Sequence, residues 1–199
     1  MENAQECLHS VHHKKIGVTI LQLDLKKAYD NLDWGFLRCI LCKTGLKYDC
    51  IEWIMACVEN INYVFLINVI PTIFFVAARG FRQGCSLSPL PFILAIDSLS
   101  LHINRAVKHK KCKHIRICRR SNISHNLSVD DIMIFGMLCR MSWEYIHEIL
   151  KKFQLASGII INEGKSSFFS DEDDKEILDY LSNLFNIGAK PLKEGLLSS

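Results

Sequence analysis

No apolar run in these 199 residues approaches the roughly 20 needed to cross a bilayer. The chain opens without a charged segment leading into an apolar one, which argues against a secretory leader. It also carries no internal repeat, low-complexity tract or linker, which argues against solenoids and strings of domains. A strong charge bias is missing too. The formal net charge is +3 and the pI about 8.3, so bulk electrostatics neither require nor exclude a polyanionic partner. Nine cysteines are present, an odd number without a repeated spacing, and they read as reduced thiols of an intracellular protein. Cys39 and Cys42 form the single Cys-x-x-Cys. With no second pair at zinc-ligand spacing, they are expected as small buried hydrophobes on a helix. The expectation is a soluble or chromatin-associated intracellular chain, the nucleus included, with no membrane partner. At 49% hydrophobic residues it can bury one sizeable core, so one globular unit over 1–199 is expected.

The β-branched run Ile16 to Asp24 reads as a buried strand with an acid at its end. Helical spacing predicts helices over Trp34 to Lys43 and Ile51 to Val58, with Gly45 breaking the pattern between them. Two β-rich runs, Asn62 to Asn68 and Thr72 to Ala78, are separated by Val69, Ile70 and Pro71 and suggest a hairpin or two edge strands. Gly80 and Gly84 bracket a loop, and Ser88-Pro89 opens a long helix. Lys108 to Arg120 (KHKKCKHIRICRR) is the one strongly basic segment; it is either a solvated loop or a contact for a nucleic-acid backbone. A helix over Ser142 to Ala156 ends at Gly158, followed by short strands at Ile159 to Asn162 and Ser166 to Phe169. Ser170 and the acids Asp171 to Asp174 look like a cap and acidic first turn of a last helix. The order of elements suggests an α+β fold, with helices on one face of an antiparallel sheet.

Three carboxylates stand out: Asp24 at the end of the first strand, and Asp130 and Asp131 where two β-like runs, Ile123 to Val129 and Ile132 to Gly136, meet. Adjacent acids in a tight turn repel each other unless cations neutralise them. Hard divalent ions take oxygen ligands, and a pair of them can stabilise both oxygens of a phosphoryl displacement. An exposed Asp-Asp turn is the alternative.

The segment Leu23-Asp24-Leu25-Lys26-Lys27-Ala28-Tyr29-Asp30-Asn31-Leu32-Asp33-Trp34 resembles the first palm motif of plant LINE-type (non-LTR) reverse transcriptases. Arg79-Gly80-Phe81-Arg82-Gln83-Gly84-Cys85-Ser86-Leu87-Ser88-Pro89 is similar to the family's arginine-glutamine-glycine loop and following helix. Ser128-Val129-Asp130-Asp131 falls at its paired-aspartate box, and Ala156-Ser157-Gly158 through Asn162 to Lys165-Ser166 resembles its fourth palm motif. The resemblance implies a single partial reverse transcriptase domain, with the palm over 16–170, a truncated palm-to-thumb connection over 171–199, and fingers and thumb largely missing. It implies an RNA-directed DNA polymerase using two Mg²⁺ ions, with Mn²⁺ as a substitute, on an RNA template, a DNA primer and deoxynucleoside triphosphates. By the same resemblance Asp24, Asp130 and Asp131 hold metal, and Lys165 assists catalysis near the triphosphate. Tyr29, Arg79, Arg82, Gln83 and Gly84 contact substrate. Tyr29 packed under the next helix and Lys165 as a surface residue are the alternatives. Ser128, Val129 and Cys85 depart from the family's pattern, and the other reading is a catalytically inactive retrotransposon remnant that at most binds nucleic acid.

Overall fold

The computed structural model describes residues 18–59, 62–82, 84, 87–112, 115–118, 121–128, 131–170 and 174–191. Asp130, Gln83, Cys85, Val129, the acids 171–173 and parts of the basic run, all singled out in the sequence, lie outside them. The chain divides into two compact units. One comprises Met1–Lys26, Leu99–Lys152 and Ile161–Ser199; the other comprises Lys27–Ser98 and Phe153–Ile160.

The first unit is built on a mixed sheet that is mostly antiparallel. β1 (Thr19–Lys26) is its centre, flanked by β9 (Asp131–Gly136) and β11 (Ser167–Ser170), with β8 (His125–Leu127) outside β9 and β12 (Ala189–Pro191) parallel to β11. Side chains alternate across a strand, so the register sorts them by face. Leu21 and Leu23 share one face with Ile132, Ile134 and Phe168, all essentially inaccessible to solvent. Against that face lies Trp143 of α5 (Arg140–Ser157), 4.9 Å from Phe168 and 6.4 Å from Phe185 of α6 (Lys175–Phe185) between ring centroids. The Trp143 Nε1–H donates to the Met137 carbonyl at 3.1 Å, which satisfies the one polar atom this buried ring carries. The other face carries Gln22, Asp24, Asp131 and Met133, all half-buried. Asn126 pairs with Met133 and is half-buried on that same face, so its interruption of an apolar run costs little. The basic run covers the end of α4 (Pro89–Lys108) and β6 (Ile115–Cys118), which pairs with β7 (Ser121–Ile123).

In the second unit α1 (Ala28–Asn31) is a single turn, followed by α2 (Trp34–Lys43) and α3 (Tyr48–Glu59). The α2 bounds match the sequence pattern, and Asp33 caps it by accepting the Phe36 N–H at 2.8 Å. Leu37, Leu41, Ile51 and Met55 are buried. Cys39 and Cys42 are exposed rather than buried, because they fall on the outward side of the helix whose inward side is Leu37 and Leu41. Residues 62–76 form one irregular hairpin of β2 (Asn62–Tyr63), β3 (Leu66–Ile67), β4 (Ile70–Pro71) and β5 (Phe75–Val76). Its turn is Asn68–Val69, both with positive φ (50° and 68°), so Ile70 and Pro71 belong to the returning strand rather than to the connection. A β-branched residue in the left-handed region is strained.

A third correction concerns the last helix. Ser170 does not cap it: Ser170 is the buried end of β11, paired with Thr19. The cap is Asp174, whose Oδ1 accepts the Ile177 N–H at 3.3 Å. Among the described residues no helix is long and apolar enough to cross a membrane.

Candidate active site

Asp24 and Asp131 stand directly opposite each other on β1 and β9. Residues so paired project to the same side of a sheet with Cβ atoms about 4.5–5.5 Å apart, so the two carboxylates share one patch. Both are half-buried. The Ser128 N–H donates to the Asp131 carbonyl at 2.8 Å, which closes β8 against β9 at this end of the sheet.

Asp24 is held by a turn that follows β10 (Ile160–Ile161). The Asn162 side-chain amide donates to Asp24 Oδ2 at 2.9 Å, and the Asn162 backbone N–H donates to the Asp24 carbonyl at 2.8 Å. The Asp24 N–H in turn donates to Ser166 Oγ at 3.1 Å, and that hydroxyl donates to the Asn162 carbonyl at 2.8 Å. One carboxylate oxygen of Asp24 is thereby oriented by a neutral donor. Asn162 and Ser166 were legible in the sequence only as part of a motif; their grip on Asp24 spans 138 and 142 residues, which no local pattern reports. Lys165 lies in the same turn, exposed, with its N–H donating to the Asn162 carbonyl at 3.1 Å.

Two facing carboxylates are the oxygen donors that hard divalent cations prefer, so the donor set fits such an ion. Among the described residues no group of three or more His, Cys, Asp or Glu is gathered in one place; Asp130, the third acid of the set, lies outside them.

The expected substrate-contacting residues belong to the second unit. Tyr29 on α1 is half-buried, its ring stacked on Phe92 at 4.2 Å and edge-on to Phe81 at 6.2 Å. Arg79, Arg82 and Gly84 are exposed. Their loop is tied to α1: the Phe81 N–H donates to the Tyr29 carbonyl and the Gly80 N–H to the Leu32 carbonyl, each at 2.8 Å. Trp34 Nε1–H donates to the Gly80 carbonyl at 2.8 Å. Gly80 has φ +81°, and a Cβ there would fall 2.4 Å from the Asp30 carbonyl oxygen, so this close approach requires glycine. Within each unit, then, the structure gathers the residues the motifs named: Asp24, Asp131 and Lys165 in one, Tyr29 with the Arg79–Arg82 loop in the other.

A mostly antiparallel sheet with facing acids on its two central strands, backed by helices, is the architecture expected of a polymerase palm. The profile of the family described as reverse transcriptase (RNA-dependent DNA polymerase) matches residues 1–184, and the chain belongs to that family. Among solved structures it is similar to apo telomerase from Candida tropicalis truncated from its C-terminal domain, with a TM-score of 0.64 and 14% identity, covering 87% of this chain and 36% of that one. It is also similar to telomerase from Candida albicans in complex with a TWJ fragment of telomeric RNA, with a TM-score of 0.62 and 14% identity, over 87% of this chain and 31% of that one. The chain thus spans about a third of the length of these telomerases.

Proposed function

We propose that this chain is the palm of an RNA-directed DNA polymerase of a LINE-like, non-LTR retroelement, adding deoxynucleotides to a primer 3′-hydroxyl on an RNA template. The observation that carries the reading is the Asp24–Asp131 pair. Like charges directly opposite on a sheet oppose folding by roughly 0.2–1 kcal/mol, a cost that a cation-binding role accounts for and a structural role does not. Asp24, Asp131 and Asp130 would hold two Mg²⁺ ions, or Mn²⁺ in their place. When bound, such ions neutralise charge on attacking and leaving oxygens of a phosphoryl displacement. The chain's own residues supply the positioning. Asn162 orients the Asp24 carboxylate and Ser166 accepts from the Asp24 backbone N–H, Lys165 offers a cation to the triphosphate, and Tyr29 sets an aromatic ring against the sugar. Gln83 and Gly84 line the path of the template base and nucleotide, Arg79 and Arg82 meet phosphates, and 1–199 acts as a single partial domain.

The inactive remnant that binds nucleic acid through Lys108 to Arg120 is the second reading, favoured by Ser128, Val129 and Cys85 at positions where the family's pattern differs. One pair of measurements separates the two. On a short RNA template with Mg²⁺ or Mn²⁺, single-nucleotide incorporation is expected from the chain and not from Asp131→Asn. In the absence of divalent cations Asp131→Asn should melt at a higher temperature, and adding them should raise the melting temperature of the parent chain alone. A folded chain that neither incorporates nucleotide nor is stabilised by the cations sinks the polymerase reading. Salt-sensitive nucleic-acid binding indifferent to Asp131→Asn would then favour the remnant.

A further inference from the structure

Charge is segregated along this chain. No acid occurs between Asp97 and Asp130, while eight of the 24 Lys and Arg residues fall there; the other 16 are outnumbered by the 21 acids. The described part of this stretch gathers its cations where α4 ends. Arg105, Lys108, Lys110 and Lys111 are all exposed, and none of the four is ion-paired among the described residues. The Lys111 N–H donates to the Ala106 carbonyl at 2.9 Å and the Lys110 N–H to the Val107 carbonyl at 3.0 Å, the two bonds of a Schellman ending. Its left-handed position, ordinarily glycine, is Lys110 at φ 57°, so a cation stands where backbone freedom alone would select glycine. Cys112, buried, then pins the chain to α5, its Sγ donating to the Ser142 carbonyl at 3.6 Å. The dipole of a helix end favours a cation or two, but Arg105 and Lys108 are like charges one turn apart, which repel. A structural role does not account for so concentrated a charge; an anionic partner does.

This turn lies at the far end of the sheet from the facing acids. Val107 and Cys112 line a small cavity together with Gly136, Met137 and Trp143. Gly136 is the last residue of β9 and Asp131 the first, and a strand of that length spans about 17 Å. We propose that the turn from Arg105 to Lys111 is a second nucleic-acid surface, one that docks the phosphate backbone of a duplex away from the acids. No Phe, Tyr or Trp occurs between Phe92 and Phe135. Unpaired strands are held largely by stacking on such rings, and basic membrane-surface helices set them into the lipid. A duplex offers about one charge per 1.7 Å of its axis and asks only for cations. Contacts of this kind hold and orient a duplex without reading its sequence. The inference rests on neither reading of the acids, since it holds whether or not they carry cations.

The test is fluorescence anisotropy of the full chain in EDTA, with DNA and RNA duplexes of arbitrary sequence and two helical turns, from about 50 to 200 mM salt. The two duplexes should bind within a few-fold of each other. The triple variant Lys108→Gln, Lys110→Gln, Lys111→Gln should weaken binding at least tenfold and flatten the dependence of log K on log salt by about 3. Removing the same charge at Lys43, Lys47 and Lys151, exposed elsewhere, should change neither quantity, and nor should Asp131→Asn. Lys110→Gly should raise the melting temperature yet weaken binding, where a lysine of structural role alone would leave binding unchanged. Equal losses from the two triple variants would overturn the proposal. So would a single strand bound as tightly as the duplex, a tenfold preference for one duplex, or capture by phosphatidylserine vesicles in place of nucleic acid.

Discussion

At the scale of single residues, the paired acids and their support obey different economies. Asp24 and Asp131 were visible in the sequence because acids at the end of apolar β-runs are out of place there. Asn162 was not visible as a functional residue, since an asparagine beside a glycine-containing turn is ordinary turn chemistry. Its amide nonetheless aims the Asp24 carboxylate. On the proposed polymerase reading, Asn162→Ala should therefore lower nucleotide incorporation by about 10–100-fold, as loss of a group that orients a metal ligand typically does, while cation-induced stabilisation persists in weakened form. An unchanged rate would show that Asp24 needs no such support. Cys112 illustrates a residue shaped first by burial. Its thiol is pushed up to about 11, first by burial and then by Cys139. The thiolate is the reactive form, so iodoacetamide at pH 8 should label exposed Cys39, Cys42 and Cys57 well before Cys112. A folded-state pKa above the unfolded one keeps the proton on in the native chain. Stability from this group is accordingly full below about pH 9 and falls as the pH rises toward 11. Chemical denaturation of the parent chain against Cys112→Ala across that window should show the difference narrowing.

At the scale of elements, legibility followed how local the determining interaction is. The helix Trp34–Lys43 could be bounded from its periodicity and from Asp33, because cap and helix are adjacent in the chain. Ser170 misled for the opposite reason. Its side chain reads as a cap, yet strand pairing with Thr19, 151 residues away, claims it, and the capping passes to Asp174. The turn at Asn68–Val69 escaped because valine rarely enters the left-handed region, whereas the proline that seemed to mark the connection sits safely on a strand flank. The segment after β1 depends on two close approaches. Gly80 abuts Asp30 on one side; Gly158, φ +73°, lies where a Cβ would be 2.7 Å from the Asn31 carbonyl oxygen. Next to it the Asp33 N–H donates to the Ser157 carbonyl at 2.7 Å. Backbone cannot yield as a side-chain tip can, so Gly158→Ala combines a clash with an unfavourable φ. It should cost about 2 kcal/mol or more, read as a lower urea midpoint, whereas Gly84→Ala, with nothing within 4 Å of the added carbon, should cost only the conformational part. Equal losses at the two positions would refute the steric account.

At the scale of the whole chain, the central sheet is assembled from segments remote in sequence. β1 takes β9 on one side and β11 on the other, with Thr19 facing both Gly136 and Ser170. That is why the motifs, each local, gave the order of parts more readily than the contacts between them. It also makes the C-terminal segment structural rather than an appendage. Trp143, 2% exposed, is covered by Phe168 and Phe185, and losing a buried phenylalanine typically costs about 3–5 kcal/mol. Losing both approaches the whole stability of a typical domain, about 5–15 kcal/mol. Deletion of residues 166–199 also removes Ser166, the acceptor for the Asp24 N–H, and leaves β1 without β11. In a Trp34→Phe, Trp53→Phe background, which leaves Trp143 as the one indole of the chain, the deletion should shift tryptophan emission to the red and abolish cooperative unfolding. A truncated chain that keeps a blue-shifted Trp143 and a sharp transition would mean that β1, β9 and α5 suffice as a core, and that the fourth motif serves the site alone.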